Sequence, residues 1–204
     1  MLLIVGLGNP GERHKKNRHN IGWMAIDAIA AGHGFGSERR RFHGLVSEGR
    51  LAGRRATTLK PMTSMNVSGQ AVSAAMRYHR LAPRDVVVFH DELDLIPGKV
   101  RVKQGGGNAG HRGLISIDAH IGKDYRRVRL GIGHPGSKSR VNRHVLGDFG
   151  KSDLAWRDAL LEAVVEAVPM LAAGDDAGFQ NRVAALAPPP RPESSSTNAV
   201  KSDH

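Results

Sequence analysis

Apolar positions along this chain follow two rhythms. Leu2, Leu3, Ile4 and Val5 form an unbroken apolar run closed by Gly6, and Val86, Val87, Val88 and Phe89 form another. Short runs without polar alternation predict strands buried on both faces. Val100 and Val102 alternate with Arg101 and Lys103, which predicts a strand with one wet face. Val128, Leu130 and Ile132 alternate through 127–133 as a further strand. Residues 42–51 and 55–59 predict a hairpin that turns at Ala52-Gly53-Arg54.

Helical spacing occupies the segments between. Trp23, Ile26 and Ala30 place a helix over 23–31, ended by Gly32 and Gly34. Further helices are predicted at 67–78, at 114–121 and at 177–186. A long one at 151–173 carries Leu154, Leu160, Leu161, Val164, Val168 and Leu171 on its apolar face, and Pro169 should kink it. Residues 37–41 (SERRR), 62–66 and 133–136 read as connections. Strands and helices alternate with one hairpin, so the fold class is α/β: a single three-layer domain, with helices on both faces of a mixed, twisted β-sheet. Three prolines at 188–190 and a Ser/Thr/Asn run divide the chain into a domain over 1–187 and a disordered tail over 188–204.

Charge changes the picture more than composition does. The 204 residues carry a formal charge of +11, from 30 Lys+Arg against 19 Asp+Glu. Arg191 and Lys201 balance Glu193 and Asp203 in the tail, so the excess lies on the domain. Such a field favours polyanions, nucleic acid first and anionic membrane second. Aromatic residues are only 4 %, too few for a reader that stacks many exposed bases. There is no cysteine, which excludes disulfides and thiolate chemistry. The start lacks a charged segment before its apolar run, and no apolar run is long enough to span a bilayer, so a cytoplasmic protein is expected.

The candidate chemistry sits in loops. The turn Gly6-Leu7-Gly8-Asn9-Pro10-Gly11 matches G-x-G-x-x-G, but Pro10 lies inside it and a polar segment separates Gly11 from the next helix. No acidic residue ends a second strand at the right distance, so a dinucleotide site does not follow. Asn9, His19 and Asn20 remain in that segment. His19 can act as a base near neutral pH, and carboxamides can hold a carbonyl or hydroxyl without adding charge. Asp91 follows an apolar strand, where a carboxylate can fix a histidine's tautomer or simply cap a turn. Similar polar, glycine-rich loops lie at 62–66, 90–94 and 105–112. No G-x-S-x-G elbow and no H-E-x-x-H frame are present. Water activated by a neutral base is left as the nucleophile. No metal site and no cofactor are expected.

Six motifs, VGLGNPG (5–11), RHNIG (18–22), KPMTSMNVSG (60–69), HDELDLIPG (90–98), GGGNAGHRG (105–113) and RLGIGHPG (129–136), together resemble bacterial peptidyl-tRNA hydrolases across 1–187. The resemblance implies hydrolysis of the ester between a nascent peptide and the 3′ adenosine of tRNA. It implies His19 as catalytic base and Asp91 as the acid that orients it. It implies Asn9, Asn66 and His111 as substrate contacts, and Lys103 and Arg129 as contacts to tRNA phosphate. His14 stands where the family usually has a tyrosine, Arg112 where it has an asparagine that helps hold the water, and Ser64 where it has an aromatic. His14 and Arg112 are placed with the substrate-binding group, and Lys138, from the basic cluster Lys138-Arg140-Arg143, with the tRNA-binding group. Peptidyl-tRNA is thus the expected partner of a metal-independent monomer. The alternative is a catalytically weak or inactive hydrolase-like RNA-binding protein. A hydrolase of free peptides gains little from a charge of +11.

Overall fold

A computed structural model describes residues 1–190. The elements in chain order are β1 (Leu2–Gly6), α1 (Ile21–Gly32), β2 (Arg39–Arg41), β3 (Gly44–Leu51), β4 (Arg54–Pro61), α2 (Ser68–Tyr78), β5 (Val86–Glu92), β6 (Val100–Gln104), α3 (Arg112–Ile121), β7 (Arg126–Gly131), α4 (Lys138–Val145), α5 (Lys151–Ala173) and α6 (Asp176–Leu186). The strands form one seven-stranded mixed sheet in the order β2-β3-β4-β1-β5-β7-β6. β1 is parallel to β4 and β5, and β5 to β7; β2, β3 and β6 join antiparallel.

The two-sided apolar run explains why β1 is central. Leu2 and Ile4 point to a core shared with Ile21, Ile26 and Ile29 of α1, Leu160, Val164 and Val168 of α5, and Phe179 of α6. Leu3 and Val5 point the other way, to Ala71 and Val72 of α2 and Leu114 and Ile117 of α3. This is the expected three-layer arrangement. Each fully buried aliphatic side chain of β1 contributes about 1.5–3 kcal/mol, so the run alone anchors the sheet. Gly6 and Gly22 let α1 start directly on the sheet. A Cβ on Gly22 would lie 2.4 Å from the Phe89 carbonyl oxygen and 2.6 Å from the Leu7 nitrogen.

The structure departs from the sequence expectation in three places. Residues 39–41 are not part of a connection but a three-residue edge strand. An edge strand needs pairing on one side only, and three arginines keep further chains off its open side. α4 occupies 138–145, where no helix is expected; it is almost wholly polar, and only Val145 is buried. α5 spans the expected 151–173 with Pro169 inside it. A proline there leaves the carbonyl of Val165 without its helical donor, and the imidazole of His33 fills the vacancy, with Nε2 2.8 Å from that oxygen. Pro188–Pro190 do not stand clear of the domain. An added Cβ on Gly98 would touch Pro190 at 3.4 Å and Trp156 at 3.6 Å, so the chain passes over this turn. The remainder of the expected tail, 191–204, lies outside the described residues.

Candidate active site

Three loops meet at one end of the sheet because β1 and β5 are adjacent and parallel. The loop after β1 folds into two 3-10 turns, Glu12–His14 and Arg18–Asn20, and the second carries His19. β5 extends past its apolar run through His90, Asp91 and Glu92, all buried. The glycine-rich loop before α3 ends at His111, which caps that helix.

These loops place two imidazoles on one carboxylate. His19 Nδ1 lies 2.9 Å from both Asp91 oxygens, and His111 Nε2 lies 2.9 Å from Oδ1. The side chains are nearly enclosed: 12 % exposed for His19, 10 % for His111 and 3 % for Asp91. A carboxylate only accepts, so both facing nitrogens donate. His111 Nδ1 then accepts from the backbone N–H of Gly113 at 3.1 Å and of Leu114 at 3.4 Å, which fixes its tautomer. His19 keeps Nε2 as a bare lone pair at a cavity of about 500 Å³. Asn9 and Asn20 brace this arrangement. The Asn9 N–H donates to Asn20 Oδ1 at 3.0 Å, and Asn20 Nδ2 donates to the Asn9 carbonyl at 2.9 Å.

The electrostatics follow from the packing. Burial works to lower the pKa of His19, as does Arg112. The charge and hydrogen bond of Asp91 outweigh both, leaving it above the usual histidine value. Burial would raise the pKa of Asp91, but His19 and His111 hold it well below the usual carboxylate range. His90 is pushed down to about 3, chiefly by burial and then by His111, so it is neutral. Its Nδ1–H donates to the Asp91 carbonyl at 2.7 Å.

His19, Asp91 and His111 also offer ligand atoms within 4.8 Å of one another. Their hydrogen bonds oppose a metal there. Both imidazole nitrogens facing the carboxylate carry protons. Freeing Nε2 of His111 would move its proton to Nδ1, against two backbone donors.

Of the other expected site residues, Arg112 and Lys138 line the cavity with Leu93, His134, Asn142 and Val145. Neither makes an ion pair among the described residues. Asn9 directs its side-chain oxygen to the Met65 N–H at 3.0 Å, which ties the first loop to the one bearing Asn66. Asn66 is exposed beside it. His14 is not brought to the cavity: its Nδ1 meets Asn17 Oδ1 at 2.7 Å, and Asn17 donates to Asp148 at 2.8 Å. Arg129 is not a free cation, since its Nε donates to Glu92 at 2.8 Å. Lys103 is exposed on β6, on the same face as Arg101 and the Arg129 paired with it. The α4 wall, with Asn142 and Val145, was missed by sequence reasoning. Val141 and Val145, four apart, are the faint signal that could have shown it.

Comparison with known proteins agrees with the motifs. The family model described as peptidyl-tRNA hydrolase matches residues 3–190. The peptidyl-tRNA hydrolase of Cereibacter sphaeroides strain ATCC 17029 is 60 % identical over 193 residues, covering 95 % of this chain and 86 % of that protein. That of Parvibaculum lavamentivorans is 59 % identical over 194 residues, covering 95 % and 94 %. The crystal structure of peptidyl-tRNA hydrolase from Acinetobacter baumannii superposes with a TM-score of 0.86 at 39 % identity, covering 92 % of this chain and 96 % of that one. With matches of this length and identity, the chain belongs to the peptidyl-tRNA hydrolase family.

Proposed function

We propose that this protein hydrolyses the ester between a peptide and the 3′ adenosine of tRNA, with His19 as general base. The observation that carries the reading is the free Nε2 of His19, held toward the cavity by the Nδ1–H bond to Asp91. Nε2 takes a proton from a water as its oxygen attacks the ester carbonyl. Asp91 stabilises the imidazolium that forms. When the tetrahedral intermediate collapses, the C–O bond to the ribose breaks. The imidazolium returns the proton to the departing 3′ oxygen, and the peptide leaves as a carboxylic acid that releases its proton to solvent.

Arg112, on the cavity wall and close enough to His19 to lower its pKa, supports a role in stabilising the oxyanion or holding a terminal phosphate. The amide N–H groups of Asn9 and Asn66 suit the polar parts of the 3′ end and peptide. Lys138 beside the cavity, with Lys103 and Arg101 farther along β6, supports a path for the acceptor stem. All these groups come from a single chain, so a monomer suffices. Among the described residues no helix is long and apolar enough to cross a membrane. Peptidyl-tRNA arises in translation, which places the reaction in the cytoplasm.

The test is incubation with N-acetyl-aminoacyl-tRNA beside free aminoacyl-tRNA. The reading expects release from the first and sparing of the second. Tight tRNA binding with no release from either substrate would instead mark an RNA-binding relative without activity.

A further inference from the structure

The sheet edge farthest from Lys103 and Arg129 carries a second concentration of positive charge. β2 presents Arg39, Arg40 and Arg41, β4 adds Arg55, and the end of α2 adds Arg77 and Arg80. None of these six arginines makes an ion pair among the described residues. Guarding an edge strand calls for charge on β2. It does not call for the aromatic surface built beside it. The Arg41 guanidinium lies 4.7 Å from the centre of the Phe42 ring and 4.5 Å from that of Tyr78. Phe42 and Tyr78 are 5.1 Å apart, and His79 meets Tyr78 edge-on at 4.9 Å. Tyr78 is 59 % exposed, the most exposed of the large hydrophobic side chains.

The backbone here is also under strain. Phe42, His43 and Arg80 have φ of 53°, 55° and 54°. Non-glycine residues in the left-handed region cost of order 1–3 kcal/mol each and persist where the surroundings impose them. Two of them hold the turn that presents Phe42, and the third follows Tyr78 and His79. Burial holds the pKa of His79 below the usual histidine value; Glu48 raises it, and Arg41 and Arg55 each lower it by a smaller amount, so the ring is uncharged. The platform therefore consists of uncharged rings and a stacked guanidinium, rimmed by arginines that lack carboxylate partners.

We propose that this face binds unpaired nucleotides of RNA, with a base stacked on Tyr78 and Arg41 and the flanking phosphates on Arg39, Arg55 and Arg77. Exposed ring faces and guanidinium planes are the surfaces on which single-stranded bases stack, whereas a duplex offers them none. Charge complementarity selects a polyanion over a protein or a neutral surface. β2 and β6 are the two edges of the sheet, so the face stays open while the active site is occupied. The segment bound is either a loop of the same tRNA or a second RNA. The inference concerns binding alone and stands apart from the hydrolase reading.

The test is fluorescence anisotropy of a labelled 12-nucleotide single-stranded RNA from low to moderate salt. It compares the wild type with Tyr78→Ala, Tyr78→Phe and Arg39→Ala, and with Lys103→Ala as a control on the other edge. Tyr78 is exposed, so its loss should leave the melting temperature unchanged. The inference expects Tyr78→Ala to weaken binding about tenfold. Tyr78→Phe should restore it, and Arg39→Ala, which removes a phosphate contact, should flatten the salt slope by about 0.7. A 4-thiouridine-substituted 12-mer should crosslink to the peptide bearing Tyr78. A parallel rise in KM for peptidyl-tRNA in Tyr78→Ala assigns the segment to tRNA itself; an unchanged KM assigns it to a second RNA. Wild-type affinity and slope in all three β2-edge variants, with crosslinks mapping only near Lys103, would overturn the proposal.

Discussion

Replacing Asp91 by asparagine is the perturbation that the site resists least. The carboxylate accepts from two imidazoles at once, at 2.9 Å in each case. A carboxamide has one acceptor atom and one NH2 group; in the place of either oxygen the NH2 faces the N–H of His19, and in the place of Oδ1 it faces that of His111 as well. If His111 yields, its proton moves to Nδ1, and the N–H groups of Gly113 and Leu114 lose their acceptor at the start of α3. If His19 yields, its proton moves to Nε2 and the base is gone. Either outcome adds to the loss of the charge that stabilises the imidazolium. The expected fall in kcat is about 10²–10⁴, or roughly 3–5 kcal/mol of transition-state stabilisation. The pH profile gives a second, independent signature. Asp91 is what raises His19 above its usual value, while burial and Arg112 pull the other way. Because the unprotonated form is the active one, the wild-type acid limb of kcat/KM lies above the usual histidine range. Without the carboxylate that limb moves to lower pH. The assay is steady-state release of N-acetyl-aminoacyl groups from tRNA over pH, with circular dichroism to confirm folding. A variant that folds, keeps more than a tenth of wild-type kcat and keeps the wild-type acid limb would refute the pairing as the source of activity.

Other outcomes follow from the same geometry. Arg112→Asn should move the acid limb upward, because Arg112 lowers the pKa of His19; a titration of kcat/KM with pH checks the sign. Lys103→Ala should raise KM, leave kcat nearly unchanged and flatten the salt dependence of binding by about 0.7–0.9, whereas a slope equal to wild type places the acceptor stem elsewhere. Activity should persist in EDTA, because the hydrogen bonds of His19 and His111 to Asp91 oppose a metal there; loss with chelator and recovery with Zn²⁺ would contradict this.

The parts of the fold that were legible in the sequence are those in which one residue type dictates one environment. Leu2–Val5 and Val86–Phe89 are apolar throughout, and only a strand covered on both faces suits them. β2 was hidden because three consecutive arginines carry no burial pattern, and its pairing is made by backbone alone. α4 was hidden because a helix lying at the surface needs little apolar content. In the site, Asp91 could be read as a carboxylate at a strand end. Its union with His19, 72 positions away, depends on β1 and β5 being neighbours and came only with the family resemblance. The resemblance brought His111 to the site as a substrate contact, but its bond to Asp91 was not legible, since His111 acts partly as a helix cap. His14 lies off the cavity for a local reason: a 3-10 turn sets it against Asn17. The bond of Arg129 to Glu92 was not legible because it crosses from one strand to its neighbour.

The most direct measurement is kcat for His19→Ala on N-acetyl-aminoacyl-tRNA, taken beside the Kd of the same variant for deacylated tRNA. The account predicts a loss of about 10²–10⁴ in kcat with Kd unchanged, since the base and the basic surface are separate groups. Retention of more than a tenth of wild-type kcat would contradict it.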